Sequence, residues 1–320
     1  MQKINNHKYF VTGGSGFIGS HIVDELIKRG NEVTVYDNFS TGRKLFTSHH
    51  LKNPKFKLIE GDVLDTSNLE KAMSGHDFVF HMSAHADVRS GFENHFIDHE
   101  QNLEATHYVL EAMVKNNIKK IAFASTSSVY GDVKTHPTPE EEPFLPTSLY
   151  GATKAACETY IATYSSYYDW QSYIFRFVSW TGERYTHGIA VDLIKKLEKN
   201  SKVIELLSDG TPKKSSLYVK DGVDAIFTII ENTKETVNIF NIGHYEVLTI
   251  DQIVDIIFDE LKVKPKKKYL GGVRGWKGDN NFVLLSAKRL NKLGWKPKYS
   301  IELGLRATIK YLIENPNLIK

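Results

Sequence analysis

The chain holds a single cysteine, Cys157, in 320 residues. No internal disulfide can form, so packing alone must hold the fold, and a reducing, cytoplasmic setting is expected. Long hydrophobic runs are also missing: nothing approaches the ~20 apolar residues of a membrane span, and no signal-peptide pattern lies in Met1-Gln2-Lys3-Ile4-Asn5-Asn6. No membrane partner is expected. An excess of one charge is lacking too. The 41 Lys and Arg against 38 Asp and Glu leave a net +3, too mild a balance to argue for nucleic acid. The basic run Lys262, Lys264, Lys266, Lys267 and Lys268 has no interleaved aromatics and reads as a solvated turn. Among 13 histidines there is no His-Glu-x-x-His set. His95 and His99, one turn apart, read as a solvated helix face, so no metal is expected. Internal repeats and low-complexity segments are absent.

What is present is an ordinary globular composition, 41% hydrophobic and 25% charged, with length for one or two domains. The first half alternates strand and helix. A short apolar strand, Tyr9 to Thr12, runs into Gly13-Gly14-Ser15-Gly16-Phe17-Ile18-Gly19. A helix follows from about Ser20 to Arg29, Gly30 ends it, and Glu32 to Asp37 forms the second strand. The glycines let the backbone approach a pyrophosphate seated on the helix N-terminus. Asp37, ending the second strand, suits the adenosine ribose hydroxyls and repels a 2′-phosphate, which favours NAD over NADP. Arg43 and Lys44 stand nearby and could offset that preference. Further strands are expected at Phe56–Ile59, Asp77–His81 and Lys120–Ala124, with a helix over roughly Asn94–Asn116. Such alternation makes a Rossmann-type doubly wound parallel sheet, an α/β fold whose ligand lies at the strand carboxyl ends. Gly61-Asp62 and Met82-Ser83-Ala84 fall at that edge, as does Ser125-Thr126-Ser127-Ser128-Val129-Tyr130-Gly131. Pro137, Pro139, Pro143 and Pro146 mark a long surface loop leading to Tyr150-Gly151-Ala152-Thr153-Lys154. On a helix Tyr150 and Lys154 share a face. A nearby ammonium would pull the phenol pKa down and make Tyr150 a general base for a sugar or alcohol hydroxyl. His81 reads as a residue ordering backbone, and Tyr130 as sheet packing or a pocket wall.

These motifs resemble the extended short-chain dehydrogenase/reductase family, in its nucleotide-sugar epimerase/dehydratase branch. The resemblance rests on Gly13 to Gly19, Asp37-Asn38, Gly61-Asp62, His81 to Ala84, Asn102, Ser125 to Gly131, Tyr150 to Lys154, Arg176, Gly182 and Arg274 to Asp279. It implies an NAD-binding domain over residues 1–175 and a smaller α/β nucleotide-sugar-binding lobe over 176–320, with part of 216–245 packing back on the first. It implies Thr126, Tyr150 and Lys154 as the catalytic set. Implied cofactor contacts are Gly13, Gly16, Phe17, Ile18, Gly19, Asp37, Asn38, Ser40, Gly42, Asp62, Val63, Met82, Ser83, Ala84, Asn102, Ser125, Tyr150 and Lys154. Implied substrate contacts are Ala86, Val88, Thr126, Ser127, Ser128, Tyr150, Ser179, Lys214 and Arg274. Dehydratases of the branch place Asp-Glu after the Thr, and decarboxylases carry a Glu where Ser128 stands. Ser127 and Ser128 therefore leave oxidation at C4, followed by rotation and re-reduction (a 4-epimerase) or by product release (a 4-dehydrogenase). A non-catalytic NAD(H) sensor is the remaining reading, and a poised phenol argues against it. Ser179 replaces a diphosphate-contacting Asn, Lys214 replaces an Arg, and Gly91 and Ala105 replace Ser and Gly. The resemblance further implies a homodimer in which helices 94–116 and 148–168 pair with their copies, through Val109, Met113, Ile161 and Tyr164.

Overall fold

The structure, a computed structural model, describes residues 6–319. Residues 1–5, read above for a signal peptide, and residue 320 lie outside the described residues. The first half runs β1 (Lys8–Thr12), α1 (Phe17–Lys28), β2 (Glu32–Asp37), β3 (Phe56–Glu60), α2 (Thr66–Met73), β4 (Phe78–His81), α3 (Ala105–Lys115), β5 (Lys120–Thr126), α4 (Leu149–Tyr168) and β6 (Gln171–Phe177). The second half runs β7 (Ser179–Thr181), α5 (Ile189–Lys199), β8 (Val203–Leu206), β9 (Lys213–Lys214), β10 (Ser216–Tyr218), α6 (Val219–Asn232) and β11 (Val237–Ile242). It continues through β12 (Leu248–Thr249), α7 (Ile250–Glu260), β13 (Lys266–Tyr269), β14 (Phe282–Val283), α8 (Lys288–Lys292) and α9 (Ile301–Glu314).

A seven-stranded parallel sheet in the order β11-β6-β5-β4-β1-β2-β3 forms the frame. The expected Rossmann-type sheet is thus present. The order reverses where β1 lies beside β4, and the crevice at their carboxyl ends is where such sheets take ligands. The inner strands β1, β2, β4, β5 and β6 are buried on both faces, as parallel strands covered by helices must be, while edge strand β3 is partly exposed. On one face α1 and α6 seal a core containing Tyr9, Ile22, Leu26, Phe80 and Ile226. On the other, α2, α3 and α4 seal Phe10, Leu69, Val109, Met113 and Ile161. The helices α5, α7 and α9 build a separate core around Ile194, Val254 and Ile309. Strand β11, from the second half, completes the main sheet against β6.

Two expectations change. The single helix over 94–116 is instead a π-helical turn, His99–Glu104, leading into α3. The extra residue per turn bends the chain so that Asp98 and Asn102 both turn inward and are buried. And Val109, Met113 and Ile161 are wholly buried inside the protomer, because the sheet they cover already takes their apolar face. Tyr164 is half-buried, with its hydroxyl donating to Glu111 Oε1 at 2.5 Å. The outer face of α4 carries Tyr160, Tyr167 and Tyr168 instead.

Candidate active site

The glycine turn is shaped by close approach. Gly13 has φ +65°, and a Cβ there would stand 2.6 Å from the Ser83 nitrogen. Glycine is what lets the first loop press against the loop after β4. No side chain caps α1 at Gly16, so the amides of Phe17 and Ile18 open its positive end towards the crevice. At the end of β2, Asp37 is buried and accepts from the Ser15 amide at 2.9 Å and the Phe39 amide at 2.8 Å. Burial raises its pKa while those two amides oppose the rise. Gly42 lies close enough that a Cβ would meet Asp37 Oδ1 at 2.8 Å. Asn38 donates to Asp62 Oδ2 at 2.9 Å and accepts from the Ser40 amide at 3.0 Å. Val63 packs into the core behind Asp62. Lys44 is drawn onto Glu60 at 2.6 Å, and Arg43 donates to its neighbour's Gly42 carbonyl at 3.4 Å. These residues gather beside the end of β2 with the Asp37 carboxylate available to ribose hydroxyls, and they fit NAD.

Across the switch point, Ser83 and His81 share the Thr12 hydroxyl, at 2.9 and 2.8 Å, and His81 Nε2 reaches Thr106 at 3.0 Å. Burial pushes the His81 imidazole down to about 3. A neutral ring therefore pins β1, β4 and α3, the ordering role expected of it. Met82 and Ala84 are half-buried on the loop beside Ser83.

Several residues point elsewhere than expected. Asn102 is buried, accepts from the His85 amide at 2.9 Å and donates towards Asp98 and Thr153 at 3.4 Å. It stands behind the cofactor loop rather than on it, because the π turn rotates it inward. Ser125 donates to Glu158, which is also held by Arg176 Nη2 at 2.7 Å in a buried pair. Strand alternation sends Ser125 under α4 and Thr126 to the opposite face, so the Ser125 hydroxyl is turned to Glu158. Tyr130 is buried, accepts from Arg176 at 2.7 Å and donates to Asn241 at 2.8 Å, which makes it sheet packing and not a pocket wall.

Helix α4 begins at Ser148, whose hydroxyl accepts from the Gly151 amide at 3.2 Å. It delivers Tyr150 to Thr126, at the end of β5. Burial drives the phenol pKa up, the nearby Asp98 carboxylate adds to that, and hydrogen bonding with Thr126 acts downward. Lys154 does not do what the spacing suggests. Its ammonium donates to the Ala124 carbonyl at 2.8 Å and lies 4.5 Å from the centroid of the Phe123 ring. Burial lowers its pKa to about 8. Same-face spacing fixes where two side chains start, not where they end. Thr126 Oγ1 accepts from the Ser128 amide at 3.1 Å and donates to Ser128 Oγ at 3.2 Å, closing a short serine turn with Ser127.

At the rim, Ala86 is exposed, Val88 half-buried and Ser179 exposed. Lys214 pairs with Asp279 at 2.7 Å and with the Asn280 carbonyl. Arg274 pairs with Asp132. Both cations thus carry protein acceptors that an incoming diphosphate would have to displace. The sequence reading missed a pair behind Tyr150. His85 Nδ1 meets Asp98 Oδ1 at 3.0 Å, and Ser90 Oγ meets His85 Nε2 at 3.1 Å. Asp98 Oδ2 is buried without a partner among the described residues. Only the Gly91 departure could have signalled it, since a Cβ there would collide with that oxygen.

Comparison with known proteins gives the same frame. Residues 9–243 match the NAD dependent epimerase/dehydratase family. A UDP-N-acetylglucosamine 4-epimerase from Methanobrevibacter ruminantium M1, solved with UDP-N-acetylmuramic acid, is 33% identical with a TM-score of 0.84, over 97% of this chain and 99% of that one. A UDP-glucose 4-epimerase from Thermotoga maritima, solved with UDP-glucose, is 30% identical with a TM-score of 0.86, over 97% and 99%. A UDP-glucuronate 4-epimerase from Thermodesulfobacterium geofontis is 29% identical over 98% of both chains.

Proposed function

The chain belongs to the NAD dependent epimerase/dehydratase family, and from that premise we propose that it is an NAD-dependent 4-epimerase of a nucleoside-diphosphate sugar. The observation that carries the reading is the meeting of Thr126 and Tyr150 at the carboxyl end of β5, with serines and no acids after Thr126. The cofactor would be held by the turn Gly13–Gly19, by Asp37 and Asn38, and by the loop Met82–Ala84. When bound, NAD supplies the acceptor, and then the donor, of a hydride at the sugar C4. Tyr150 takes the O4 proton as the C4 hydride leaves, and Thr126 positions O4 for that transfer. Lys154, buried beneath, anchors the cofactor ribose. After the 4-keto sugar rotates, Tyr150 would return its proton to O4, now presented from the other face of the ring. Ser127 and Ser128 cannot perform the acid–base work of water elimination. Arg274 and Lys214 exchange their carboxylate partners for the diphosphate, and Ala86, Val88 and Ser179 line the sugar end. Lys214 holds a point charge where a planar guanidinium would grip in two prongs.

The test is chromatography coupled to mass spectrometry of UDP-glucose, UDP-N-acetylglucosamine and UDP-glucuronate incubated with NAD and the protein. An isomer of unchanged mass is expected for at least one sugar. Loss of two hydrogens with NADH formation would instead mean a net 4-dehydrogenase, and loss of water would overturn the C4-only chemistry. The reading includes a homodimer, and a reducing cytoplasmic setting that the one free, buried cysteine suits. No helix among the described residues is long and apolar enough to cross a membrane.

A further inference from the structure

Away from the cofactor crevice, two imidazoles converge on one carboxylate oxygen. Asp24 lies on α1, two turns beyond the glycine loop. His49 Nε2 stands 2.8 Å and His50 Nε2 2.7 Å from the same Asp24 Oδ1, and the three ligand-capable atoms all lie within 4.8 Å of one another. From these we infer that Asp24, His49 and His50 form a binding site for a divalent transition ion of the zinc type.

The donor set is two neutral imidazoles and a carboxylate, the combination borderline ions such as Zn²⁺ and Co²⁺ take. An ion about 2.0–2.1 Å from each ligand in tetrahedral geometry separates the ligands by roughly 3.3 Å. The two imidazole–carboxylate spacings therefore need to open by only about half an ångström. Each imidazole bonds the carboxylate through Nε2–H; on binding, that proton leaves Nε2, which becomes the ligand. The other carboxylate oxygen is already fixed. Arg184 Nη2 donates to Asp24 Oδ2 at 2.7 Å, leaving Oδ1 as a one-point ligand held in place by an outer partner. Arg184 Nη1 is buried with no acceptor among the described residues, a spare donor beside the carboxylate for a water or anion in the fourth position. The rings are braced as well: the two imidazole centroids are 4.0 Å apart, and His50 lies 5.5 Å from the Phe56 ring. The Arg184 charge works against a dication, so affinity in the micromolar range is expected rather than that of a closed structural zinc site.

An ion here would join two separate segments, α1 and the turn after β2, with Arg184 of the loop 182–188 on the far oxygen of Asp24. That loop also reaches α1 where His21 Nε2 meets the Glu183 carbonyl at 3.0 Å. The Arg184–Asp24 and His21–Glu183 contacts, not the ion, tie the second half to α1. In sequence the ligands are 25 residues apart with no motif spacing, which is why only the fold brings them together.

The test uses the tag-free full chain stripped with chelator, titrated with Zn²⁺ in a calorimeter and with Co²⁺ by visible absorption. One ion per chain, a tetrahedral Co²⁺ spectrum and a raised Tm are expected for the wild type. His49→Ala, an exposed position, and Asp24→Asn should each weaken binding by at least about tenfold. His95→Ala and His99→Ala, on a separate surface, should leave it unchanged. Absence of Zn²⁺ binding, or binding that survives both site substitutions, overturns the inference.

Discussion

Tyr150 and Lys154 show how far residue type and spacing reach. Their four-residue interval correctly puts both on one helix, but the Lys154 ammonium turns to the Ala124 carbonyl, so the phenol is tuned by burial, Asp98 and Thr126 instead. Tyr150→Phe should cut turnover by about 10²–10⁴-fold while NAD binding, read by calorimetry, is preserved. Thr126→Ala should lose less, and Lys154→Ala should lose both. Wild-type turnover in Tyr150→Phe would remove the phenol from the mechanism. Lys154 also carries a pH signature. Its pKa is about 8 in the fold against 10.5 when free. Between those values the unfolded chain holds a proton that the folded chain has released, so this residue's contribution to stability rises with pH across the window and is lowest below it. Lys154→Met should therefore gain stability over wild type at neutral pH, and that gain should shrink by about 1–3 kcal/mol as pH rises to the top of the window. Paired urea titrations, in which the tyrosines common to both proteins cancel, measure it. Gly91 is a third case. A Cβ there would collide with Asp98 Oδ2, so Gly91→Ala should destabilise by about 1–3 kcal/mol, read from the urea midpoint.

Elements were legible where the backbone itself demands a residue type. The turn Gly13–Gly19 and the terminal Asp37 stand where expected, because close backbone approach needs glycine and the Ser15 and Phe39 amides need an acceptor. The π turn at His99–Glu104 was not legible. Its apolar pattern suits an unbroken helix, and only packing against α4 reveals the extra residue. The directions of Ser125 and Asn102 were lost with it, as they depend on Glu158 and on the His85 amide, both distant in sequence. The partners of Lys214 and Arg274 are hidden for the same reason, since Asp279 and Asp132 meet them only after the chain has closed. Asn102 offers a test at this scale. Its carboxamide holds the loop that carries Ala86 and Val88 by accepting from the His85 amide. Asn102→Ala should cost about 1–3 kcal/mol for the unpaired buried group and raise KM for the sugar nucleotide more than Kd for NAD. Equal rises in both would place Asn102 against the cofactor after all.

At the scale of the whole molecule, what the sheet and the lobe leave uncovered decides association. The apolar residues on the inner faces of α3 and α4 are spent on the protomer core, so any dimer contact must use the outward face. That face carries Tyr167, 75% exposed, with Tyr160 and Tyr168 at 42% each. Three tyrosines along a 20-residue helix are the kind of rigid, amphipathic anchors that interfaces favour. A two-fold axis across α4 would pair the patch with its own copy, the commonest closed arrangement for soluble oligomers. The protein should therefore run as a dimer in light scattering at micromolar concentration. Tyr167→Asp would place two carboxylates against each other across that axis, which should shift the equilibrium to monomer while NAD binding stays intact, because Tyr167 lies more than three turns beyond the last residue of the proposed catalytic set. A wild-type monomer would show that the tyrosines are simply solvated. A dimer untouched by Tyr167→Asp would move the interface to another face.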